Sequence, residues 1–458
     1  MVKLKGLNFL FQNQNFHQVV LKNSFWLLTA ELVSRGFKFI LIMYTARILG
    51  AYQYGQFAFL LNLAALLIIL AEFGLPLLVT REFSKERENK QTVFDALLGL
   101  KLALSFLLLL IIGFLSLFLN QFELKITLLV LGFYLIIDNF SQMFVGYFRS
   151  QQKMQHEAMV RITGICLTVV FGFFVLYYRP SIQNLSFAYA LGAFLALILA
   201  GLIYRFFYQS FRLKIDLTIW KEFIRLAWPL VLISAFLSLY QYSDSVMLGL
   251  FHLIKDNGFY NAAYKILDLA VLPIALITSV FFPIISSLNP QKNEENKKQL
   301  NYVFSRYFAY SLGLMVFITL SVFFLAPLII FVVYGVAYQP SLLALQILLL
   351  ANIAIYLSWP FNNLLIAFNY QKQQMTISSI GALINIILNL ILIPKFSLYG
   401  AALATAFTYF LVGLMSYLMA KNKLKFILDK KLILKSSAIG FILALFIMTL
   451  GFFIYSYT

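Results

Sequence analysis

Long apolar runs recur along the whole chain, and each is long enough to cross a lipid bilayer as a helix. A transmembrane helix needs about 20 consecutive apolar residues, and short charged segments such as 205–222 and 420–435 separate the runs. A membrane β-barrel would instead show alternating polarity in pieces of about ten residues, which this sequence lacks. Only 11% of the residues are charged, whereas soluble domains carry about a quarter. The runs predict thirteen transmembrane helices, at 24–49, 53–79, 92–119, 124–149, 156–178, 184–208, 223–250, 258–286, 300–325, 340–369, 374–393, 398–420 and 433–456.

Basic residues are concentrated in alternate loops between these spans. Loops on one side carry Lys85, Lys90, Arg149, Lys153, Arg212, Lys214, Lys297, Lys372, Lys421, Lys425, Lys430 and Lys431. The opposite loops carry Arg47, Lys125, Arg179, Lys255 and Lys395. Cytoplasmic loops are enriched in Lys and Arg, so the pattern predicts a multi-pass membrane protein with a cytoplasmic N-terminus. This distribution explains the net charge of +18, and binding to nucleic acid is not predicted because no basic soluble module is present.

The two halves of the sequence repeat one another weakly across the polar segment 205–222. The motif GQFA at Gly55–Ala58 is echoed by GFYNA at Gly258–Ala262, and FRSQQKM at Phe148–Met154 by FNYQKQQM at Phe368–Met375. Six predicted spans precede the break, so both halves begin on the same side and the repeats are parallel. The sequence thus predicts an all-α polytopic membrane protein of two six-helix bundles, related by a parallel pseudo-two-fold axis, plus one C-terminal helix. The predicted domains are an N-terminal bundle at 1–208, a cytoplasmic linker at 209–222, a C-terminal bundle at 223–420 and the additional helix at 421–458.

Several motifs occur in an order and spacing that a known family shares. They are TARILG at Thr45–Gly50, YGQF at Tyr54–Phe57, AEFGLP at Ala71–Pro76, DSVMLG at Asp244–Gly249, LNLILIP at Leu388–Pro394 and YGAALAT at Tyr399–Thr405. Together they resemble the bacterial polysaccharide-biosynthesis flippases of the multidrug/oligosaccharidyl-lipid/polysaccharide exporter superfamily. The similarity extends over about residues 20 to 420.

The resemblance implies a V-shaped fold in which the first, second, seventh and eighth helices line a central cleft. It also implies a substrate, an undecaprenyl-pyrophosphate-linked sugar unit carried from the inner to the outer leaflet of the bacterial inner membrane. A polysaccharide polymerase and glycosyltransferases would be protein partners. Family members have twelve or fourteen spans. With thirteen here, either 433–456 is a re-entrant or peripheral helix or a last helix is missing.

Three charged residues recur at helical spacing in the first predicted span. Glu31, Arg35 and Lys38 share one face of that helix. Each would cost roughly 2.5–3.5 kcal/mol if it faced the bilayer core, so this face is predicted to point away from lipid. In one interpretation Glu31 and Arg35 only neutralise each other, and Lys38 extends towards the interface. In the other, Arg35 and Lys38 bind the pyrophosphate, since Arg can hold two phosphate oxygens at once.

Further charged residues lie within other predicted spans. Lys101 and Arg161 are the remaining candidate substrate ligands, although Arg161 is close enough to the interface for a structural role. The candidate coupling or gating residues are Glu31, Asp138, Asp244, Lys265 and Asp268. Asp244 and Lys265 flank the loop 251–257 at similar distances, so they are predicted to pair. That pair would be either a structural salt bridge or a gate that responds to protonation or ion binding.

Catalysis is not predicted for this chain. The histidines, the cysteine and the acidic residues do not cluster at metal-ligand spacing, no P-loop motif is present, and no cofactor is expected. A Na⁺- or H⁺-coupled small-molecule antiporter of the same superfamily is the alternative function, but it would favour carboxylates where the first span is net positive. A membrane-embedded glycosyltransferase, polymerase or ligase is a third possibility, and such proteins carry long external loops that this chain lacks.

Overall fold

The computed structural model describes residues 16–85, 89–288 and 294–457, and its elements there are all helical. In chain order they are α1 (Phe16–Leu67), α2 (Ile69–Glu72), α3 (Leu75–Phe83), α4 (Lys90–Ser116), α5 (Phe122–Ser150), α6 (Met154–Tyr178), α7 (Ile182–Phe207), α8 (Leu217–Leu250), α9 (Ile254–Ser287), α10 (Glu294–Tyr334), a 3-10 turn (Val336–Tyr338), α11 (Ser341–Ala367), α12 (Gln371–Leu424) and α13 (Lys430–Tyr457).

Two of the long helices contain a break that divides each into two spans. α1 is interrupted at Gly50, whose φ of 71° is adopted readily only by glycine, and α12 is interrupted at Ser397. Ten helical stretches of the described chain are long and apolar enough to cross a bilayer, and two of these contain the breaks. Counted across the breaks, twelve of the thirteen predicted spans each correspond to one helix or part of one in the described residues, whereas 53–79 extends over the second part of α1, all of α2 and the first part of α3. The chain is therefore a multi-pass, all-α membrane protein, as predicted.

The last predicted span, 433–456, is part of a continuous helix. α13 has 28 residues, which reach about 42 Å at 1.5 Å per residue, whereas the hydrocarbon core is about 30 Å thick. It packs along α10, and its stretch Lys430–Thr449 is apolar enough to cross a bilayer. The length of α13 favours a spanning helix over a re-entrant one.

A third break separates α2 from α3. Phe73 and Gly74 both adopt left-handed conformations there, so the helical hydrogen bonds stop. A helix end leaves backbone carbonyls without helical partners, and in lipid each of them must be satisfied within the protein. The buried ammonium of Lys101 donates to the Ala71 carbonyl at 2.7 Å and also to the Asn139 side-chain oxygen. Lys101 therefore stabilises the break.

The described chain forms two compact helical units. The first holds the described residues up to Leu49 together with Gln56–Ser238, and the second holds Gly50–Gly55 together with the described residues from Leu239 onwards. The N-terminal part of α8, up to Ser238, belongs to the first unit, and its Phe223 is buried in that unit's apolar core. The predicted domain boundaries, of which 1–15 lies outside the described residues, stay a prediction.

Two glycines from the repeated motifs meet inside the second unit. A Cβ atom on Gly55 would lie 1.9 Å from the Ile254 carbonyl oxygen, and one on Gly258 would lie 2.0 Å from the Ala51 carbonyl oxygen. The Asn257 amide donates to the Gly55 carbonyl at 3.0 Å beside this contact. The backbones of α1 and α9 can approach this closely only because neither glycine has a side chain.

This contact predicts that Gly258→Ala destabilises the protein by about 1–3 kcal/mol, because the methyl group would force the two backbones apart. The matched control is Gly113→Ala on α4, where an added Cβ meets nothing within 4 Å and removal of a helical glycine is favourable by about 0.5–1 kcal/mol. Thermal unfolding of both purified variants in detergent checks the prediction. Equal melting temperatures for the two variants would contradict it.

Candidate functional site

A polar cavity of about 340 Å³ lies within the first unit, between α1, α5, α6 and α7. Five of the charged residues singled out from the sequence line it, namely Glu31, Arg35, Lys38, Asp138 and Arg161. The structure thus brings together residues that are more than 120 positions apart in the chain. Three of the five are cationic and two are anionic, so the charged lining is net positive.

A chain of ion pairs begins in the wall of this cavity, at Glu31, Arg35 and Arg161, and continues behind it to Glu157 and Arg149. Glu31 accepts a hydrogen bond from Arg35 Nε at 2.5 Å on one carboxylate oxygen, and one from Arg161 Nη2 at 2.7 Å on the other. Arg161 Nη1 also lies 3.5 Å from Glu157. Arg149 in turn forms a two-pronged contact with Glu157, at 2.5 and 2.7 Å. Positive and negative groups alternate along this chain of ion pairs, so the positions of Arg35 and Arg161 are fixed by carboxylates.

The rest of the cavity lining carries Lys38, hydroxyl groups and aromatic rings. Asp138 on α5 interacts electrostatically with Lys38 and Arg161. Uncharged polar and aromatic side chains complete this part of the wall, namely Ser34, Tyr134, Ser141, Gln142, Thr168 and Tyr189. Such a surface offers hydrogen bonds to hydroxyl-rich or phosphate-bearing molecules.

Lys101, predicted as a substrate ligand, does not line this cavity. Its ammonium is fully buried against the α2 terminus and Asn139 on α5. Lys101 was predicted to bind substrate because a cation within a span is costly without a partner. Here its partner is the Ala71 carbonyl, which is left without a helical hydrogen bond where α2 ends. This position gives Lys101 a structural contact in place of the predicted substrate contact.

The predicted pair between Asp244 and Lys265 is wrong. Asp244 on α8 is buried in the second unit and accepts hydrogen bonds from Tyr260 at 2.5 Å, Asn389 at 2.5 Å and the Thr405 hydroxyl. Lys265 instead pairs with Asp268, one turn along α9, at 2.8 Å. Equal depth in the membrane did not determine which way each side chain faces around its helix.

Two residues of the ion-pair chain, Glu157 and Arg149, are not among the site residues predicted from the sequence. Glu157 was not singled out, although it stands four positions before Arg161 on α6 and such pairs share a helix face. Arg149 was interpreted only as a cytoplasmic topology signal. Its contact with Glu157 crosses the loop from α5 to α6, and the spacing of eight residues gives no helical periodicity that would reveal it.

Known structures with the same fold include two classes of transporter. The lipid II flippase MurJ, in an inward closed conformation, matches with a TM-score of 0.76 and 16% identity, over 93% of this chain and 97% of that chain. An inward-facing multidrug resistance MATE family transporter of the MOP superfamily matches with a TM-score of 0.70 and 12% identity, over 85% of this chain and 94% of that chain. At these identities the likeness shows the fold alone, and it agrees with the predicted two-bundle architecture.

Proteins that are similar in sequence indicate the family to which the chain belongs. The probable low-salt glycan biosynthesis flippase Agl15 of Haloferax volcanii is 23% identical over 395 residues, which cover 85% of this chain and 80% of the relative. The sequence profile of the family described as polysaccharide biosynthesis protein matches residues 20–289, more than half of the chain. The resemblance predicted from the motifs is confirmed. The chain belongs to the polysaccharide biosynthesis protein family.

Proposed function

We propose that this chain is a flippase that moves a polyprenyl-pyrophosphate-linked oligosaccharide across a membrane by alternating access. The observation that carries the proposal is the cavity in the first unit, where Arg35, Lys38 and Arg161 meet within a multi-pass membrane protein. Guanidinium and ammonium groups bind phosphate oxygens strongly, and Arg can do so with two parallel hydrogen bonds. The site therefore matches the charged part of such a lipid.

The costly step in flipping is the passage of the charged headgroup through the apolar core, because the polyprenyl tail is already dissolved in the bilayer. Moving an unpaired charge into an apolar medium costs tens of kcal/mol in the ideal limit. A cavity lined by fixed cations replaces the water that the pyrophosphate loses, and neighbouring hydroxyls and amides such as Ser141 and Gln142 replace water around sugar hydroxyls. The tail stays in lipid while the headgroup is bound by protein.

The names of the similar proteins support this proposal. One is a flippase for lipid II, and another is a probable flippase of glycan biosynthesis. The fold is also shared with a multidrug transporter, so an ion-coupled small-molecule antiporter is the alternative. A cationic drug would meet three cations against two carboxylates in the described cavity. The charge of the cavity favours an anionic substrate.

We place the flippase in the inner membrane, between enzymes that make its substrate and enzymes that use it. The concentration of Lys and Arg in alternate loops supports a cytoplasmic N-terminus in the inner membrane. Glycosyltransferases on the cytoplasmic side would supply the lipid-linked substrate, and a polysaccharide polymerase on the far side would use it. The chain itself would move the substrate without making or breaking covalent bonds.

We further propose that Asp244 couples transport to an ion or proton gradient. Its carboxylate is buried in the second unit, and its three described hydrogen-bond donors, Tyr260, Asn389 and Thr405, are neutral. Burying an ionised carboxylate is costly even when neutral groups donate hydrogen bonds to it, so a proton or a small cation would further stabilise this cluster. Lys265 and Asp268 pair with each other on α9 and remain gating candidates.

The proposed headgroup site predicts that Arg35→Ala lowers export of the glycan at least about tenfold, because charge-assisted hydrogen bonds to phosphate are lost. Arg35→Lys recovers only part, since a point charge cannot reproduce the planar fork. Surface glycan in cells, normalised to protein level, is the measurement. The matched control is Arg306→Ala, because Arg306 lies 4.2 Å from the Tyr302 ring on α10 and outside the cavity.

If Arg35 only neutralises Glu31 and does not bind the substrate, a different result is expected. The double variant Glu31→Gln, Arg35→Gln should then export glycan almost normally. Normal export by that double variant would eliminate Arg35 as a substrate ligand.

The proposed coupling role predicts that Asp244→Asn abolishes the dependence of transport on an ion or proton gradient. Asparagine has nearly the same size as aspartate, so it should fit among Tyr260, Asn389 and Thr405, but it cannot be ionised. Transport in proteoliposomes, measured with and without an imposed Na⁺ or pH gradient, checks this. Asp256→Asn is the matched control, since Asp256 also accepts a hydrogen bond from a hydroxyl, that of Ser397. Gradient-dependent transport by the Asp244→Asn variant would exclude Asp244 as the coupling group.

A further inference from the structure

Glu31 occupies both arginines of the cavity at once. One carboxylate oxygen accepts from Arg35 at 2.5 Å and the other from Arg161 at 2.7 Å. Two oxygens of one anionic group thus hold two guanidinium groups on different helices, α1 and α6. A pyrophosphate also presents anionic oxygens in pairs and would need the same N–H groups. Glu31 therefore stands where the substrate would bind.

The two carboxylates of the ion-pair chain differ in how firmly they are held. Glu157 is fully buried and forms a two-pronged contact with Arg149. Glu31 keeps 30% of its side-chain surface exposed and makes one hydrogen bond to each arginine. Removing a buried carboxylate that binds one arginine through both oxygens leaves a charge in a site without water. A partly exposed carboxylate that makes a single hydrogen bond to each arginine can be resolvated as it leaves. Glu31 is the displaceable member and Glu157 the fixed one.

We infer that Glu31 is an internal counter-ion that the pyrophosphate displaces from Arg35 and Arg161 on binding, and that returns to them on release. This inference rests on the proposed function. Without Glu31, Arg35 would lose the carboxylate it pairs with at 2.5 Å, and Arg161 would keep only the longer contact with Glu157 at 3.5 Å. Cations with weakened pairing are costly within a membrane protein. With Glu31, substrate binding becomes an exchange of one anion for another.

The exchange has a consequence for the transport cycle. Because the carboxylate competes with the pyrophosphate for the same N–H groups, it weakens substrate binding. The same competition helps to expel the pyrophosphate after the cavity has opened to the far side. Removing the competitor should tighten binding and slow release, so affinity and turnover would change in opposite directions.

The test compares binding of geranyl diphosphate to full-length purified protein by isothermal titration calorimetry. Glu31→Gln keeps the size of the side chain but loses its charge, and it should bind the probe at least about tenfold more tightly than the wild type. Glu31→Asp keeps the charge but is too short to reach both arginines, so its affinity should be intermediate. Glu82→Gln is the matched control, because Glu82 also bridges two cations, Arg81 and Lys85, outside the cavity. Its affinity should equal that of the wild type.

The outcomes separate this inference from the function on which it rests. If the wild type binds the probe and Glu31→Gln binds equally or more weakly, Glu31 orients the arginines and the counter-ion exchange is refuted. If the wild type does not bind, or the double variant Arg35→Gln, Arg161→Gln binds as the wild type does, the cavity is not a pyrophosphate site, and both proposals fall. Thermal unfolding in the same detergent verifies that each variant is folded.

Discussion

Glu31 lies between Arg35 and Arg161, with one carboxylate oxygen directed at each guanidinium. This contact reconciles two requirements of the first unit. Cations must be present to attract an anionic headgroup, yet an unbalanced cation is expensive within a membrane protein. A partly exposed carboxylate that makes one hydrogen bond to each arginine meets both, because it balances charge in the empty cavity and, on the inference above, is displaced by the substrate. The geometry of α1 and α6 around the cavity depends on this shared residue.

The same constraint explains polar groups that lie away from the cavity. Lys101 is buried where α2 ends, and it supplies the hydrogen bond that the Ala71 carbonyl lost when the helix broke. Asp244 in the second unit is surrounded by hydroxyl and amide donors from three other helical segments. In lipid, each backbone polar group without a partner costs several kcal/mol. The cavity of the first unit thus contains charges that are joined in ion pairs, whereas the buried carboxylate of Asp244 in the second unit lies among neutral donors.

The number of spans and the charged face of α1 could be predicted from the sequence because both depend on local rules. Apolar length decides whether a helix can cross the bilayer, and a spacing of four residues brings Glu31 and Arg35 together on any helix. The partners of Asp244 could not be predicted in the same way. Its depth indicated Lys265, but the rotation of α8 is set by packing against helices far along the chain. For Lys101, the deciding feature was a break in another helix.

Reconstitution of the purified chain into liposomes tests most directly whether the cationic cavity carries a lipid-linked pyrophosphate across a bilayer. A polyprenyl-pyrophosphate-linked oligosaccharide is placed in both leaflets, and a membrane-impermeant glycosidase reports which sugars are exposed outside. With the wild type, sugars from the inner leaflet should become accessible over time. With a variant that lacks Arg35 and Arg161, only the sugars of the outer leaflet should be cleaved. Wild-type vesicles in which inner-leaflet sugars stay protected would contradict the account.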